Sequence, residues 1–158
     1  MYDMKTYPNS ITSVCGYYGI GIYMSKSTKN IGTIWRTAHI MGADFIFTIG
    51  QRYETMKTDT MKSFRHIPLF FYRTVDDFFN SIPKGAEVIG IELDSSSVPL
   101  TSFSHPQRAV YLLGSEDTGL PADVIQRCHS VIQLPGSYSL NVSVAGSVVM
   151  YDRYLKSI

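Results

Sequence analysis

Three glycine-containing segments carry residues that could bind a ligand or do chemistry. The first, residues 113–121, reads LGSEDTGLP. Gly114 and Gly119 would let the backbone approach a ligand closely, and Glu116 places a carboxylate among exposed amides. Taken alone, the segment is explained equally well by a plain turn between a strand and a helix.

The second and third segments pair a helix-capping residue with polar groups. Residues 134–141 read LPGSYSLN, where Pro135 and Gly136 force a turn and Ser139 or Asn141 could cap a following helix. Residues 30–36 read NIGTIWR. Asn30 stands at a predicted helix N-terminus, and an arginine, Arg36, follows about a turn and a half later. A cap and a surface arginine would explain that segment as simply.

Hydrophobic periodicity predicts strands and helices in alternation along the chain. The predicted strands are residues 17–24, 43–49, 68–72, 87–93, 108–113 and 131–134, and the predicted helices are residues 30–41, 75–82, 121–127 and 139–158. In the last segment the valines favour a strand, but the length without a turn signal favours a helix. The alternation predicts an α/β fold with a mostly parallel sheet and helices on both faces. In such a sheet, ligands bind at the carboxyl ends of the strands, where the glycine segments begin.

Length and charge limit the classes of function. The 158 residues, 44% of them hydrophobic, predict one domain over residues 1–158. A formal net charge of +1 gives no overall basic signal, so any RNA site must be a local patch. The cations that could form one are Lys26, Lys29, Arg36, Arg52, Lys57, Lys62 and Arg65. A solvated face of mixed charge explains them equally simply.

Several other classes lack their sequence signals. Cys15 and Cys128 form no Cys-x-x-Cys pair, residues 1–10 lack the apolar core of a signal peptide, and residues 17–24 are too short to span a bilayer. We therefore expect a cytoplasmic protein without membrane insertion. The four histidines are scattered, which predicts no metal site. A nucleotide-binding G-x-G-x-x-G and a hydrolase G-x-S-x-G are both absent.

Together the three segments resemble the signature motifs of the TrmH-like RNA ribose 2′-O-methyltransferases (SpoU family) of the SPOUT class. The resemblance runs from about Tyr17 to the C-terminus. The matching residues are Asn30-Ile31-Gly32 with Arg36-Thr37-Ala38, then Gly114-Ser115-Glu116 with Gly119-Leu120, then Leu134-Pro135-Gly136 with Ser139-Leu140-Asn141-Val142-Ser143. Their order and spacing match those of the family, and the short stretch before the first strand resembles its minimal, single-domain members.

The resemblance implies a fold, a cofactor and site residues. The family ends in a trefoil knot, an exception to the rule against knotted chains, and binds S-adenosylmethionine in the knotted loops. The implied cofactor-binding residues are Glu92, Leu93, Gly114, Leu134, Ser139 and Leu140. The implied catalytic residues are Arg36, Asn30, Glu116, Ser139 and Asn141. Because a guanidinium rarely gives up its proton, we expect Arg36 to position the RNA phosphate and stabilise the oxyanion. The family also implies a homodimer that meets at the C-terminal helix and shares its active sites.

The substrate implied is RNA, with tRNA favoured over rRNA. The short N-terminal extension resembles minimal members, which include enzymes of the tRNA wobble position. The third motif, SLNVS, resembles longer members that modify other tRNA positions or rRNA. The alternative is a catalytically silent module of the same fold that binds RNA or dimerises. The presence of Arg36, Glu116 and Asn141 argues against that alternative.

Overall fold

A computed structural model describes residues 15–53 and 65–157. Lys57 and Lys62 of the predicted basic patch lie outside these residues, as does the N-terminal segment 1–10. The strands are β1 Tyr17–Tyr23, β2 Phe45–Ile49, β3 Leu69–Tyr72, β4 Glu87–Ile91, β5 Val98–Pro99, β6 Arg108–Leu113 and β7 Ser130–Gln133. The helices are α1 Thr28–Ile40, α2 Val75–Asn80, α3 Ala122–Arg127 and α4 Val142–Ser157, with a 3₁₀ turn at Leu100–Ser102.

All seven strands belong to one parallel sheet in the order β3-β2-β1-β6-β4-β7-β5. The chain moves outward from β1 to β3 and then continues on the other side of β1. The order therefore reverses beside β1, and the crevice at such a reversal is where α/β sheets bind ligands. Near that point Ile22 of β1 is paired with Leu113 of β6, so the two carboxyl ends are level. The predicted α/β fold with a parallel sheet is confirmed.

The core lies in two layers, one on each face of the sheet. Alternate residues of β6 divide between them, since Tyr111 packs with the layer under α1 and α4 while Leu112 packs with the layer under α2 and α3. That alternation follows from the two-residue period of a strand. The prediction of helices on both faces is therefore confirmed. Within the two described ranges, no helix is both long and apolar enough to cross a membrane.

Most predicted element boundaries differ from the structure by one to three residues, for identifiable reasons. Helix α1 begins earlier than predicted because Ser27, not Asn30, caps it, with the Asn30 backbone N–H donating to the Ser27 hydroxyl. Helix α4 begins at Val142 because Asn141 is its cap and accepts from the Ser143 N–H at 2.9 Å. Of the two predicted caps for α4, Asn141 is therefore the one observed, and Ser139 lies in the preceding loop. The two-residue strand β5 and the 3₁₀ turn carry too little periodicity to be predicted.

The small residues of α4 face the chain's own core. A Cβ on Gly146 would lie 3.0 Å from Leu113 and 3.3 Å from Ile20, so glycine lets the helix approach the sheet. Ser147 donates to the Thr37 hydroxyl of α1. The outward face of α4 is apolar instead, formed by Val144, Val148, Tyr151 and Leu155. If α4 meets a second subunit, the apolar side chains and not the small residues would make the contact.

A buried polar network joins α4 to the amino ends of β1 and β6. The guanidinium of Arg153, 1% exposed, donates to the carbonyls of Cys15, Pro106 and Gln107 and to the Tyr111 hydroxyl. His105, Tyr111 and the α4 residue Asp152 extend it: the His105 ring bonds the hydroxyl at Nδ1 and the carboxylate at Nε2, 2.8 Å away. No sequence pattern indicates this network, because Arg153 looks like an ordinary cation near a helix end.

Candidate active site

A cleft of about 500 Å³ opens at the carboxyl ends of β4, β6 and β7. This volume is within the range of small-molecule sites. Three loops line it, each directly after one of these strands: residues 92–93, 114–119 and 134–141. All six predicted cofactor-binding residues line this cleft, namely Glu92, Leu93, Gly114, Leu134, Ser139 and Leu140. The structure thus places them together, while their role in binding stays a prediction.

Two glycines are needed where the 114–119 loop folds back on itself. A Cβ on Gly114 would lie 2.5 Å from the carbonyl carbon of Gly119. Gly119 has a φ of +65°, in the left-handed region that glycine tolerates best. The Glu92 carboxylate holds the end of this loop by accepting the Leu120 N–H at 2.8 Å, and it is itself oriented by the Leu93 N–H, which donates to it at 2.9 Å. Glycine at position 114 is therefore required by the fold of the loop itself, and the open cleft beside the loop is a result of that fold.

Glu116 connects the loop after β6 with the segment after β1. Its Oε1 accepts from the Asn30 side-chain amide at 2.8 Å and from the Ser25 hydroxyl at 3.0 Å. Its Oε2 accepts from the Lys26 backbone N–H at 3.2 Å. Burial on its own would raise the pKa of Glu116, but these hydrogen bonds outweigh burial and lower it. Glu116 is therefore an ionised acceptor that fixes the two segments to each other.

Asn141 brings the third loop into the same network. Its Nδ2 donates to Oδ1 of Asn30 at 3.2 Å, while its Oδ1 caps α4. Of the three predicted catalytic residues, Asn30 thus bonds both Glu116 and Asn141, although 86 and 111 residues of chain separate it from them. Their side-chain hydrogen bonds fix the positions of the segments around the cleft relative to one another.

Arg36 lies apart from this cluster. It is exposed on α1 and does not line the cleft. Among the residues that the structure describes, it has no hydrogen-bond or ion-pair partner. Ser139 lines the cleft, is exposed, and is also without a side-chain hydrogen bond within the same ranges. Of the five predicted catalytic residues, the structure therefore joins three by direct contact, adds Ser139 at the cleft, and leaves Arg36 outside.

Sequence reasoning missed several residues beside the cleft. Ser25 lies two residues after the end of β1, so the rule that ligands collect at the carboxyl ends of strands would have found it. Lys26 follows it and was predicted only as a cation of a local RNA patch, not as a residue beside the cleft. Lys26 also forms an exposed ion pair with Asp117, which is the main reason that its pKa is raised. Tyr138 lines the mouth of the cleft, whereas its sequence context indicates only a turn. No pattern in the sequence marks it as a site residue.

Comparisons with known proteins agree with this arrangement. The model of the SpoU rRNA Methylase family matches residues 20–151. An uncharacterised tRNA/rRNA methyltransferase of Archaeoglobus fulgidus is 29% identical over 134 residues, which cover 78% of this chain and 58% of that protein. The tRNA (guanosine(18)-2′-O)-methyltransferase of Escherichia coli is 25% identical over 129 residues, covering 78% and 56%. The chain spans a little over half the length of these two curated relatives.

A solved structure shares the fold. The AdoMet-bound rRNA methyltransferase of Sinorhizobium meliloti superposes with a TM-score of 0.79 at 24% identity, covering 87% of this chain and 56% of that one. The family model covers most of the chain and includes all three motif segments, as well as the strands whose carboxyl ends form the cleft. The chain belongs to the SpoU methylase family.

Proposed function

We propose that this chain transfers a methyl group from S-adenosylmethionine to a ribose 2′-hydroxyl of RNA, with tRNA favoured over rRNA. The observation that carries the proposal is the convergence of three separate motif segments on one cleft, two lining it and the third bonded to its rim. The names of the two curated relatives support an RNA substrate, and the E. coli name supports a 2′-hydroxyl of tRNA. Because this chain covers little more than half of each relative, its own substrate is part of the proposal.

The cleft has the chemistry that an adenosyl group requires. Its lining combines apolar side chains, which can pack on the faces of an adenine, with polar groups that can hydrogen-bond the edge of that base. The aliphatic members of the lining are Ile91, Leu93, Leu113, Leu134, Pro135, Leu140, Val142 and Ala145. The AdoMet-bound neighbour with this fold supports the same cofactor here. When bound, S-adenosylmethionine supplies an electrophilic methyl group on a sulfonium.

The chain's own residues must orient the ribose and stabilise the charge that develops on its oxygen. Arg36, whose guanidinium has no partner among the residues that the structure describes, is proposed to hold an RNA phosphate and this oxygen through its planar fork. Ser139 is proposed to contact the ribose or the cofactor from the cleft side. Asn30, Glu116 and Asn141 are proposed to act mainly by keeping the loops in place, because their hydrogen-bonding groups are already engaged with one another.

Calorimetric titration with S-adenosylhomocysteine tests the cofactor site. Ser139→Phe should weaken binding by about tenfold or more, because the added ring fills the cleft. Ser137→Phe is the matched control: it adds the same ring to the same loop, at an exposed position that does not line the cleft. Equal losses in both variants would contradict the assignment of the cleft. Binding without any methyl transfer to RNA would favour the catalytically silent module.

We also propose a homodimer with active sites shared between subunits. Residues Val144, Val148, Tyr151 and Leu155 recur at spacings of three or four along α4, and each is at least 39% exposed. An exposed apolar stripe of this kind marks a protein contact. Arg36 lies outside its own cleft, which a shared site would explain, since it would then serve the partner's cleft.

A purified heterodimer tests this arrangement. Subunits carrying Arg36→Ala and Ser139→Phe are co-expressed with different tags and isolated together. One of the two sites then combines an intact cleft with an intact arginine, so activity should recover to about half that of the wild type. An inactive heterodimer would contradict the shared site. Val148→Asp should give a monomer in light scattering, and a stable dimer in that variant would contradict the contact surface.

We further propose a knotted chain path, because α4 packs back against β1 and β6 after β7. The return from β7 to α4 would then thread a preceding loop as a trefoil knot. When the chain is pulled from both ends, its extension should stop short of the full contour length; full extension would contradict the knot.

We also propose that residues 1–158 form one SPOUT domain, since the described residues share one sheet. We propose a cytoplasmic location for the protein, because tRNA and rRNA are found there.

A further inference from the structure

Tyr138 differs from the other residues that line the cleft. It is the one aromatic side chain among them, and it is 88% exposed. Within residues 15–53 and 65–157, neither a hydrogen bond nor a ring contact holds it. Most other tyrosines and phenylalanines of the described chain are packed, and Tyr18 and Tyr111 are fully buried. An unpartnered aromatic ring at the mouth of a cleft is available for a ligand to cover.

The cofactor is a poor candidate for covering this ring. The cleft already has apolar side chains from the sheet and from α4, such as Ile91, Leu113 and Ala145, which can enclose an adenine without Tyr138. A ring that is 88% exposed touches the cleft only at its edge. Because Tyr138 borders the cleft and is exposed, its ring is accessible to the nucleotide that must bring the reactive 2′-hydroxyl to the cleft.

We propose that Tyr138 is a substrate-binding residue whose ring stacks on a base of the RNA at the mouth of the cleft. The proposal rests on the proposed function and adds to it the way the RNA is held. Unstacked bases of RNA loops are commonly bound by aromatic side chains, and every base offers a π-face. Tyr138 also lies one residue before Ser139 and three before Asn141, so a base stacked there would bring its ribose close to the polar rim.

The test compares Tyr138→Ala, Tyr138→Leu and Tyr138→Phe in the full chain. The RNA is a set of unmodified tRNA transcripts, and the methyl donor is tritiated S-adenosylmethionine. For Tyr138→Ala we expect KM for RNA to rise roughly tenfold with kcat little changed, the loss expected for one stacked base. Tyr138→Phe should behave like the wild type, and Tyr138→Leu should fall between the two. Phe71→Ala, which removes an exposed ring from β3 at one end of the sheet, should leave KM unchanged.

Two binding measurements on the same variants distinguish base stacking from a role in cofactor binding or in dimerisation. Calorimetry with S-adenosylhomocysteine should give the same Kd for Tyr138→Ala as for the wild type, and light scattering should give the same mass. A weaker Kd would assign the ring to the cofactor and overturn the proposal. A lost dimer would assign it to the subunit contact, and an unchanged KM would leave it no role; either would overturn it too. A wild type that binds no S-adenosylhomocysteine and methylates no transcript would instead overturn the proposed function, on which the role of Tyr138 depends.

Discussion

The parallel sheet has an amino edge, where its strands begin, and a carboxyl edge, where they end. The two use polar residues in opposite ways. At the amino edge, the donors of Arg153 Nη1 and Nη2 and both ring nitrogens of His105 have partners inside the chain. At the carboxyl edge, Ser139 is exposed and has no side-chain partner among the described residues. Arg36, further along α1, is likewise exposed and without a partner among them. A group whose hydrogen bonds are already made inside the fold has little left for a ligand, whereas an unpartnered group retains its full capacity.

The same distinction separates the motif residues at the carboxyl edge from one another. Glu116 accepts three hydrogen bonds from the chain, and Asn30 and Asn141 are bonded to each other. They resemble the amino-edge network in being satisfied internally, although they surround the cleft. Membership of a signature motif therefore does not by itself make a residue a contact for substrate. Substitutions at the two edges should separate these roles, from the largest expected effect to the smallest.

Removing Arg36 should have the largest effect, and it should lower activity without changing the stability of the fold. Arg36→Ala should reduce kcat for methyl transfer by about 100-fold or more, as expected for a lost oxyanion donor. Arg36→Lys should also lose most activity, because it keeps the charge without the fork geometry. Arg108→Ala, at the amino end of β6, is the control and should stay near wild-type kcat. Near wild-type turnover in Arg36→Lys would contradict the role of the guanidinium.

Removing Arg153 should have a large effect on stability alone. Arg153→Met leaves several buried carbonyls without donors and should lower the free energy of unfolding by about 3 kcal/mol, measured by urea titration. The affinity of the folded fraction for S-adenosylhomocysteine should not change. Arg127→Met, which removes an exposed ion pair with Asp76, should cost about 1 kcal/mol or less. A functional amino edge would be indicated if Arg153→Met lost cofactor affinity while remaining fully folded.

His105 should give the amino edge a moderate dependence on pH. Burial lowers the pKa of His105 below its ordinary value of 6.5, although Asp152 opposes the shift. As the pH falls below about 6.5, the unfolded chain takes up a proton that the native chain resists, so the free energy of unfolding should decrease. His105→Gln should reduce this slope. It should not abolish it, because burial and His66 also lower the pKa of His39. An unchanged slope would contradict the assignment.

The smallest effect should come from Lys26. Its ion pair with Asp117 is exposed to solvent on both sides, and such pairs contribute little to stability. Lys26→Met should therefore leave the melting temperature unchanged within error in a thermal scan. A fall of more than about 4 °C would show that the pair fastens the loops at the carboxyl edge as firmly as the buried network fastens the amino edge.

The sequence was most informative where a regular period or a glycine-containing motif marked an element. The parallel α/β fold followed from strands such as residues 108–113 alternating with helices, and the position of the cleft followed from the loops after them. Helix starts were less certain because several capping residues compete near each one. Ser27 and Asn30 could both cap α1, and only the structure shows that the Asn30 side chain turns to Glu116 instead.

Long-range contacts account for what the sequence did not predict. The bond between Asn30 and Asn141 depends on how the sheet is ordered, which no local pattern encodes. The same holds for the burial of the α4 residue Arg153 against the amino ends of β1 and β6. The apolar stripe of α4 was also hidden, because its valines suggested a strand as readily as a helix. Tyr138 is distinguished only by its exposure, which becomes known once the loop is folded.

The most direct test of the proposed chemistry is to locate the transferred methyl group. The wild-type chain is incubated with unmodified tRNA transcripts and S-adenosylmethionine that carries a trideuterated methyl group. The RNA is then digested to nucleosides and analysed by mass spectrometry. The label should appear on the ribose as a 2′-O-methyl nucleoside and be lost in Arg36→Ala. Label on a base, or S-adenosylhomocysteine binding without any labelled nucleoside from tRNA or rRNA transcripts, would contradict ribose methylation.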